Sequence, residues 1–489
     1  LRVIFLSAYK NQRHKMNTSR YVALLMLLIL SACSKKQAMA PPPHVQPDTT
    51  SIPVGVTINQ NQRGNTIAPA FEGLSFEVGS LTNGSNLLST GNTVLLHLIK
   101  NLGPGVLRIG GNSSDDIFWT GHRRYANTGS DSLTTTDIDA FAAFAKATGW
   151  KVLFGFNLGS GAPQAAANEA AYINNSLGQS LYAFQTGNEP DLFFNNGHRT
   201  PAYSYADFQS EWETYLAAVR AAVPNAPFAG PDAAGNSTWV SQFIPAENKN
   251  IILADAHYYR TGPASDSSIT VQTILAPDNQ LPSYLETMNN ASQAGYLAYR
   301  ISECNSVFGG GKRGVSNVFG SALWALNFMW IVAENNSLGI NFHGGNGGFY
   351  SPVDNGSGIT TAMPEYYAML AFKYGGVGGT IIPTTLNSTT YNCSAYACTN
   401  AGITYITLIN MESDINLSFT VQLGKTAAGI KIARLTAPNI YTQAGVTFAG
   451  ASVLANGTYN AGPTENHTIN SNSFVLKVPA GNAAVIAVQ

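Results

Sequence analysis

The sequence predicts an α/β protein, a (β/α)8 TIM barrel carrying a C-terminal antiparallel β-sandwich. Between residues 71 and 375, short β-like runs alternate with stretches in which apolar residues recur at three and four, the signature of strand-helix units. The runs are Phe71–Phe76, Gly105–Ile109, Lys151–Phe156, Leu181–Thr186, Pro227–Gly230, Ile251–Ala256, Leu297–Ser302 and Ile340–His343, eight in all. After Gly375 the text turns to Thr, Val, Ile, Asn and Gly with period-two alternation, as in Ile403–Ile409 and Leu417–Val421. Of the 489 residues 45% are apolar and 11% charged. An average soluble chain carries roughly 25% charged residues, so this composition excludes a self-repelling disordered chain.

The N-terminus reads as an address. From Met16 the chain passes Arg20 into an apolar core, Tyr21–Leu30, then Leu30-Ser31-Ala32-Cys33. This is the layout of a signal peptide, with a core too short to span a bilayer. Residues 1–33 are assigned to it, and residues 1–15, which precede a plausible initiator, are read as not native. Leu-Ser-Ala-Cys resembles the lipobox of bacterial lipoproteins. It would make Cys33 the lipidated first mature residue of a periplasmic or cell-surface protein that meets the membrane only through that anchor. An ordinary signal peptide cut nearby is the alternative. Residues 34–50, with Pro41-Pro42-Pro43, read as a linker. Residues 51–60 read as a strand joining the sandwich, 61–378 as the barrel and 379–489 as the sandwich.

Within the barrel, helices are expected at Thr136–Thr148, Tyr205–Val223, Ser283–Ala294 and Ser321–Glu334, with Thr136 and Asp137 as N-caps of the first and Gly149 as its stop. An open doubly wound sheet would give the same periodicity. Cys393 and Cys398, in a turn-like segment, are expected to form a disulfide in an oxidising compartment, leaving Cys304 without a partner. Neither CxxC pairs nor HExxH occur, so no metal site is signalled. The glycine-rich stretch at 344–348 lacks the Lys and helix of a phosphate loop, and no cofactor is expected. With 26 Lys+Arg against 27 Asp+Glu and no dense basic run in the mature region, nucleic acid is excluded as a partner. A serine hydrolase would need G-x-S-x-G, which is absent.

Barrel chemistry sits at the C-terminal ends of strands. The fourth run leads into Thr186-Gly187-Asn188-Glu189-Pro190 and the seventh into Ser302-Glu303-Cys304-Asn305. Splitting an acetal needs one carboxylic acid to protonate the leaving oxygen and one carboxylate to attack or stabilise the oxocarbenium-like centre. Glu189 and Glu303, facing each other across one mouth, meet that need. Either glutamate alone reads as a solvated loop residue.

Asn-Glu-Pro after the fourth strand and a Glu after the seventh resemble clan A retaining glycosidases. The longer strings Thr186–Phe193, Glu303–Gly311 and Gly348–Asp354 resemble glycoside hydrolase family 79, the β-glucuronidases and heparanases. The resemblance implies an exo-acting retaining β-glucuronidase acting on a carbohydrate that ends in glucuronic acid. Its alternatives are a heparanase-like endo-enzyme, disfavoured by the net charge of −1, and a clan relative preferring a neutral sugar. A carbohydrate-binding lipoprotein with a dead barrel would have lost a glutamate.

By that resemblance Glu189 is the acid/base, Glu303 the nucleophile, and Asn188 the partner of the sugar 2-hydroxyl. Arg108 keeps the nucleophile ionised, or is a structural arginine tying strands together. Tyr259 touches the nucleophile and the sugar, and Asp115 and Glu77 hold the 3- and 4-hydroxyls. The uronate carboxylate falls to the Gly309 and Gly310 amides and Tyr350. Phe308 stands where relatives carry Tyr, so one donor is missing and a broader sugar preference is open.

Overall fold

The computed structural model describes residues 51–122, 131–345, 347–387 and 390–489. The signal-like segment, Cys33 and the linker lie outside the described residues. Among those described, no helix is long and apolar enough to cross a membrane.

The barrel strands run Gly73–Glu77, Val106–Gly110, Lys151–Phe156, Leu181–Thr186, Ala229–Ala233, Leu253–Thr261, Tyr299–Val307 and Ile340–His343. All are parallel. The first pairs with both the second and the eighth, Leu74 standing opposite Leu107 and Phe342. The ring closes between the fourth and fifth through a Phe184–Phe228 bridge, which rules out the open sheet.

Alternate residues of a strand share a face, and the interior layers follow from that spacing. Val106, Leu153, Ala183, Ala229 and Leu253 form a buried apolar layer. Two residues further along three of these strands stand Arg108, Gln185 and Asp255, all fully buried and polar. The sixth and seventh strands run five residues past their expected ends, because their polar residues satisfy one another inside the barrel instead of turning to water.

The helix Thr135–Thr148 is capped by Thr134, whose side chain accepts from the Asp137 amide while Asp137 bonds back. The expected caps at Thr136 and Asp137 are therefore corrected: a capping box places Asp137 three positions inside the cap. Gly149 ends the helix at φ +77°, a left-handed stop that glycine adopts without strain.

In the second sheet Ser51–Ile58 lies parallel to Asn416–Gln422 and antiparallel to Thr384–Leu386. The strand Asn416–Thr436 shifts register between Gln422 and Ala427 and again before Gly429. Its first half thus pairs with Ser51–Ile58 and its last with Asn482–Val488. Val54, Val56, Leu417, Phe419, Ile486 and their neighbours fill the interior. Against the barrel, Tyr396 stacks on Trp330 with centroids 5.3 Å apart and bonds Asn327 at 2.7 Å.

The expected Cys393–Cys398 disulfide is absent; both thiols are free. The two residues occupy one extended strand, Cys393–Asn400, so a separation of five puts them on opposite faces and on the order of 16 Å apart. A disulfide needs Cα atoms within about 7 Å. Iodoacetamide added to the unfolded, unreduced protein is expected to label Cys304, Cys393 and Cys398; protection of the latter pair would overturn this assignment.

Burial raises several acids. It pushes Glu169 to about 8, and burial beside Asp232 pushes Asp255 to about 7. Glu72 and Glu365 move the same way by desolvation. The folded state then holds protons that the unfolded chain releases above about pH 4, and stability falls as pH rises toward 8. The melting temperature should be higher at pH 5 than at pH 8; the reverse order would show that these carboxyls are ionised in the fold.

Candidate active site

Each polar side chain at the barrel mouth is placed by a strand end. Glu189 lies three residues past the fourth strand, with its backbone in the left-handed region at φ +52°. Its amide is held by the Asp232 carbonyl at 2.9 Å and its own carbonyl by the Leu192 amide at 2.8 Å. A non-glycine residue at positive φ is uncommon, and here the bonds on either side fix it. Glu303 lies inside the seventh strand, not after it as the sequence suggested. The pairing with the sixth strand shifts register between Ile301 and Glu303. Such a bulge re-aims the side chain that follows it.

Glu303 is 7% exposed and closely held. Arg108 Nη1 donates to Oε2 at 2.5 Å, the Tyr259 hydroxyl donates to Oε1 at 2.7 Å, and His343 Nδ1 stands 3.3 Å from Oε2. Burial alone would raise this carboxyl, but the charges of His343, His257 and Arg108 and the tyrosine bond overcome it and hold Glu303 far below the usual range.

Glu189 is more open, at 14%. Its Oε1 meets His257 Nδ1 at 3.0 Å, and His257 Nε2 meets Asp232 at 2.9 Å. Burial would lower that imidazole; the charges of Asp232 and Glu303 reverse the effect and raise it. One oxygen of each glutamate and one His257 nitrogen all lie within 4.8 Å of one another. These are metal-ligand atom types, yet Glu303 already carries the Arg108 guanidinium and both His257 nitrogens have carboxylate partners.

Arg108 sits at the centre, fully buried. Beyond Glu303 it donates to Asp232 at 2.6 Å, Asn188 at 2.9 Å, and Gln185 and Ser75 at 3.1 Å. Beside Glu303 and as a tie between strands, it occupies both positions the sequence left open.

A cleft of about 1220 Å³ opens over this network. Of the residues expected at the site, Glu77, Glu189, Tyr259, Glu303, Phe308, Gly309, Gly310 and Tyr350 line it. Asn188, Arg108 and Asp115 lie behind its wall. Asp115 is corrected from sugar contact to a structural place: one oxygen takes the Leu158 and Gly159 amides and the other the Asn188 amide. Asn188 has its oxygen on Arg108 and its amide on Asn112. Glu77 binds the Ser113 amide at 2.8 Å and faces His343 Nε2 at 3.5 Å.

Gly309, Gly310 and Gly311 have φ of +84°, +92° and +76°. A Cβ on Gly311 would stand 2.5 Å from the Tyr350 amide nitrogen, so only glycine lets the two loops close together. The Tyr350 hydroxyl faces the Tyr259 hydroxyl and the Gly310 amide. Phe308 is half-exposed, edge-on to Tyr259 with centroids 6.4 Å apart.

Asp232, His257 and His343 escaped the sequence reading; Asp232 and His343 stand at or next to the ends of their strands, a place that would have pointed to them, whereas His257 lies midway along Leu253–Thr261.

Two fungal proteins named β-glucuronidase resemble the chain over most of its length. That of Neurospora crassa is 24% identical over 460 residues, 81% of this chain and 80% of its own. That of Aspergillus niger is 25% identical, covering 95% of this chain and 99% of its own. The chain is a glycoside hydrolase. The likeness to clan A and to glycoside hydrolase family 79 carried by the three strings is borne out by these relatives.

No family model matches this hydrolase. In fold it superposes on a 4-O-α-L-rhamnosyl-β-D-glucuronidase from Fusarium oxysporum, with a TM-score of 0.71 and 20% identity over 89% of this chain and 100% of that one. It also superposes on a family 51 arabinofuranosidase from Xanthomonas axonopodis, with a TM-score of 0.66 and 17% identity over 90% and 100%.

Proposed function

We propose that this hydrolase is an exo-acting retaining β-glucuronidase, with Glu303 as nucleophile and Glu189 as acid/base. The observation that carries the reading is the pair itself. One oxygen of each lies within 4.8 Å of the other, a closest approach that supports double displacement, for which carboxyl groups stand about 5 to 5.5 Å apart, over inversion, which needs roughly 6.5 to 9.5 Å to admit a water.

The environments support a division of labour. Glu303, buried and held ionised by cations, suits attack on the anomeric carbon. Glu189, more open and positioned by its bond to His257, suits proton transfer to and from the leaving oxygen. Tyr259 steadies the nucleophile. Arg108, Asn188 and Asp115 hold the pair in place from behind, and Glu77 reaches the sugar hydroxyls.

For the uronate carboxylate the reading relies on the Gly309 and Gly310 amides and the Tyr350 hydroxyl, a nest of backbone donors of the kind that accepts anions. No Lys or Arg lines the cleft among the described residues. The names of the fungal relatives support this sugar. A neutral-sugar preference is the second reading, favoured by Phe308, which offers no hydroxyl. The pattern at residues 16–33 supports export of the chain.

Aryl β-glycosides of glucuronate, glucose, galactose and xylose, assayed side by side, decide between the readings. A hydrogen bond to a charged group is worth roughly 1.5 to 3 kcal/mol, so Tyr350→Phe should raise KM for the glucuronide by about tenfold or more and barely alter glucoside turnover. A wild type that prefers a neutral sugar, with Tyr350→Phe leaving that preference unchanged, would remove the glucuronidase reading and keep the retaining one. Release of oligosaccharides from inside a polymer would overturn the exo assignment.

A further inference from the structure

Asn305 stands two residues past Glu303 on the seventh strand. Glu303 lies opposite His257 and Asn305 opposite Tyr259 with no register shift between, so the two side chains share a face. Asn305 is fully buried. Its Nδ2 donates to the Tyr350 carbonyl at 2.6 Å and to the His343 carbonyl at 3.0 Å, with Glu365 Oε2 at 3.4 Å. Its Oδ1 accepts from the Ser306 amide at 2.6 Å. Main-chain carbonyls can only accept and a main-chain N–H can only donate, so these partners fix which end of the side chain is nitrogen.

The two carbonyls belong to segments with different support. His343 ends the eighth strand and is paired there with Ser75, which holds its backbone without Asn305. Tyr350 lies in no strand or helix. The segment leading to it from His343 contains Gly344, Gly345, Gly347 and Gly348, and glycine gives a chain little stiffness of its own. Ser351 Oγ closes this segment on itself, accepting from the Gly345 amide at 2.7 Å. The Phe349 amide donates to the Gly310 carbonyl at 2.7 Å, which joins one glycine-rich loop to another. The bond from Asn305 is of a different kind, because it ties Tyr350 to a barrel strand.

We infer that Asn305 is a positioning residue for sugar selection, fastening the loop that carries Tyr350 to the strand that carries Glu303. The inference rests on the reading of Tyr350 as a donor to the uronate carboxylate. Asn305 is not among the residues that line the cleft, so it acts through Tyr350. A recognising group is only as precise as the residues that hold it, and loss of Asn305 weakens uronate binding more than it slows the chemical step.

The test is the kinetics of the intact enzyme on an aryl β-glucuronide, for wild type, Asn305→Ala, Asn305→Ser, Tyr350→Phe, and Asn305→Ala combined with Tyr350→Phe. Asn305→Ala gives up part of a charged hydrogen bond and should raise KM by about fivefold or more, exceeding any fall in kcat. A residue with a structural role alone would reduce the amount of folded enzyme, hence kcat, and leave KM as it was. Asn305→Ser keeps one hydroxyl donor for two carbonyls and should fall in between; it decides where Asn305→Ala does not fold. The double variant should match the KM of Tyr350→Phe, because the hydroxyl that Asn305 positions is already gone. Two results would overturn this inference while a raised KM in Tyr350→Phe keeps the uronate reading: wild-type KM in the folded Asn305 variant, or KM increases that multiply in the double variant. A wild type that hydrolyses no glucuronide, or wild-type KM in Tyr350→Phe, would overturn both.

Discussion

Glu303→Ala is expected to abolish turnover of every glycoside, because Glu303 is the proposed nucleophile. Glu189→Ala should spare activated aryl substrates and lose about 10²- to 10⁴-fold on poor leaving groups, the range general acid catalysis supplies. Azide separates the two. Added to Glu189→Ala, it should intercept the glycosyl-enzyme and give an azide of retained configuration. Added to Glu303→Ala, it should fill the vacated space and give the inverted one. Proton NMR of the products reads both, and equal residual activity of the two variants on every substrate would mean that the pair is misplaced.

Arg108→Met has the next largest expected effect, on stability as well as rate. Arg108 donates to Glu303, Asp232, Asn188, Gln185 and Ser75, and its removal strands two buried carboxylates. Breaking a buried ion pair from one side costs about 3 to 5 kcal/mol, which denaturant unfolding would read directly. Glu303 would also lose one of the cations holding its proton off, so the acid limb of the pH–rate profile should move upward. Arg108→Lys should recover little, because one ammonium cannot reach five acceptors in a fork. Wild-type stability in Arg108→Met would refute the central role given to this residue.

What could be read from residues alone follows the physics of each element. All eight barrel strands were legible because fully buried parallel strands are short apolar runs between turn signals. Their upper ends were not, since His257, Tyr259, Glu303 and Asn305 read as loop text and are strand only because the network satisfies them. Glu189 and Glu303 were legible from their place after two runs and from the strings around them. Asp232 and His257 had no such strings, and nothing local says that a histidine will lie between two carboxylates. The cysteine pair misled because a spacing of five closes a loop in a turn and opens a gap in a strand.

The pairing of Ser51–Ile58 with residues 384–386 and 416–422 bears on how the chain is made. This strand leaves the ribosome before any of the barrel, and its partners follow more than 300 residues later. Until then its edge has nothing native to bond, and an unpaired edge invites wrong partners. Closing so long a loop costs only slightly more than closing a shorter one, so the delay falls on the rate rather than on the final stability. The sandwich is thus completed last although it holds the earliest strand of the fold. A chain cut at the barrel boundary would yield a C-terminal piece lacking the strand that joins Asn416–Gln422 to Thr384–Leu386.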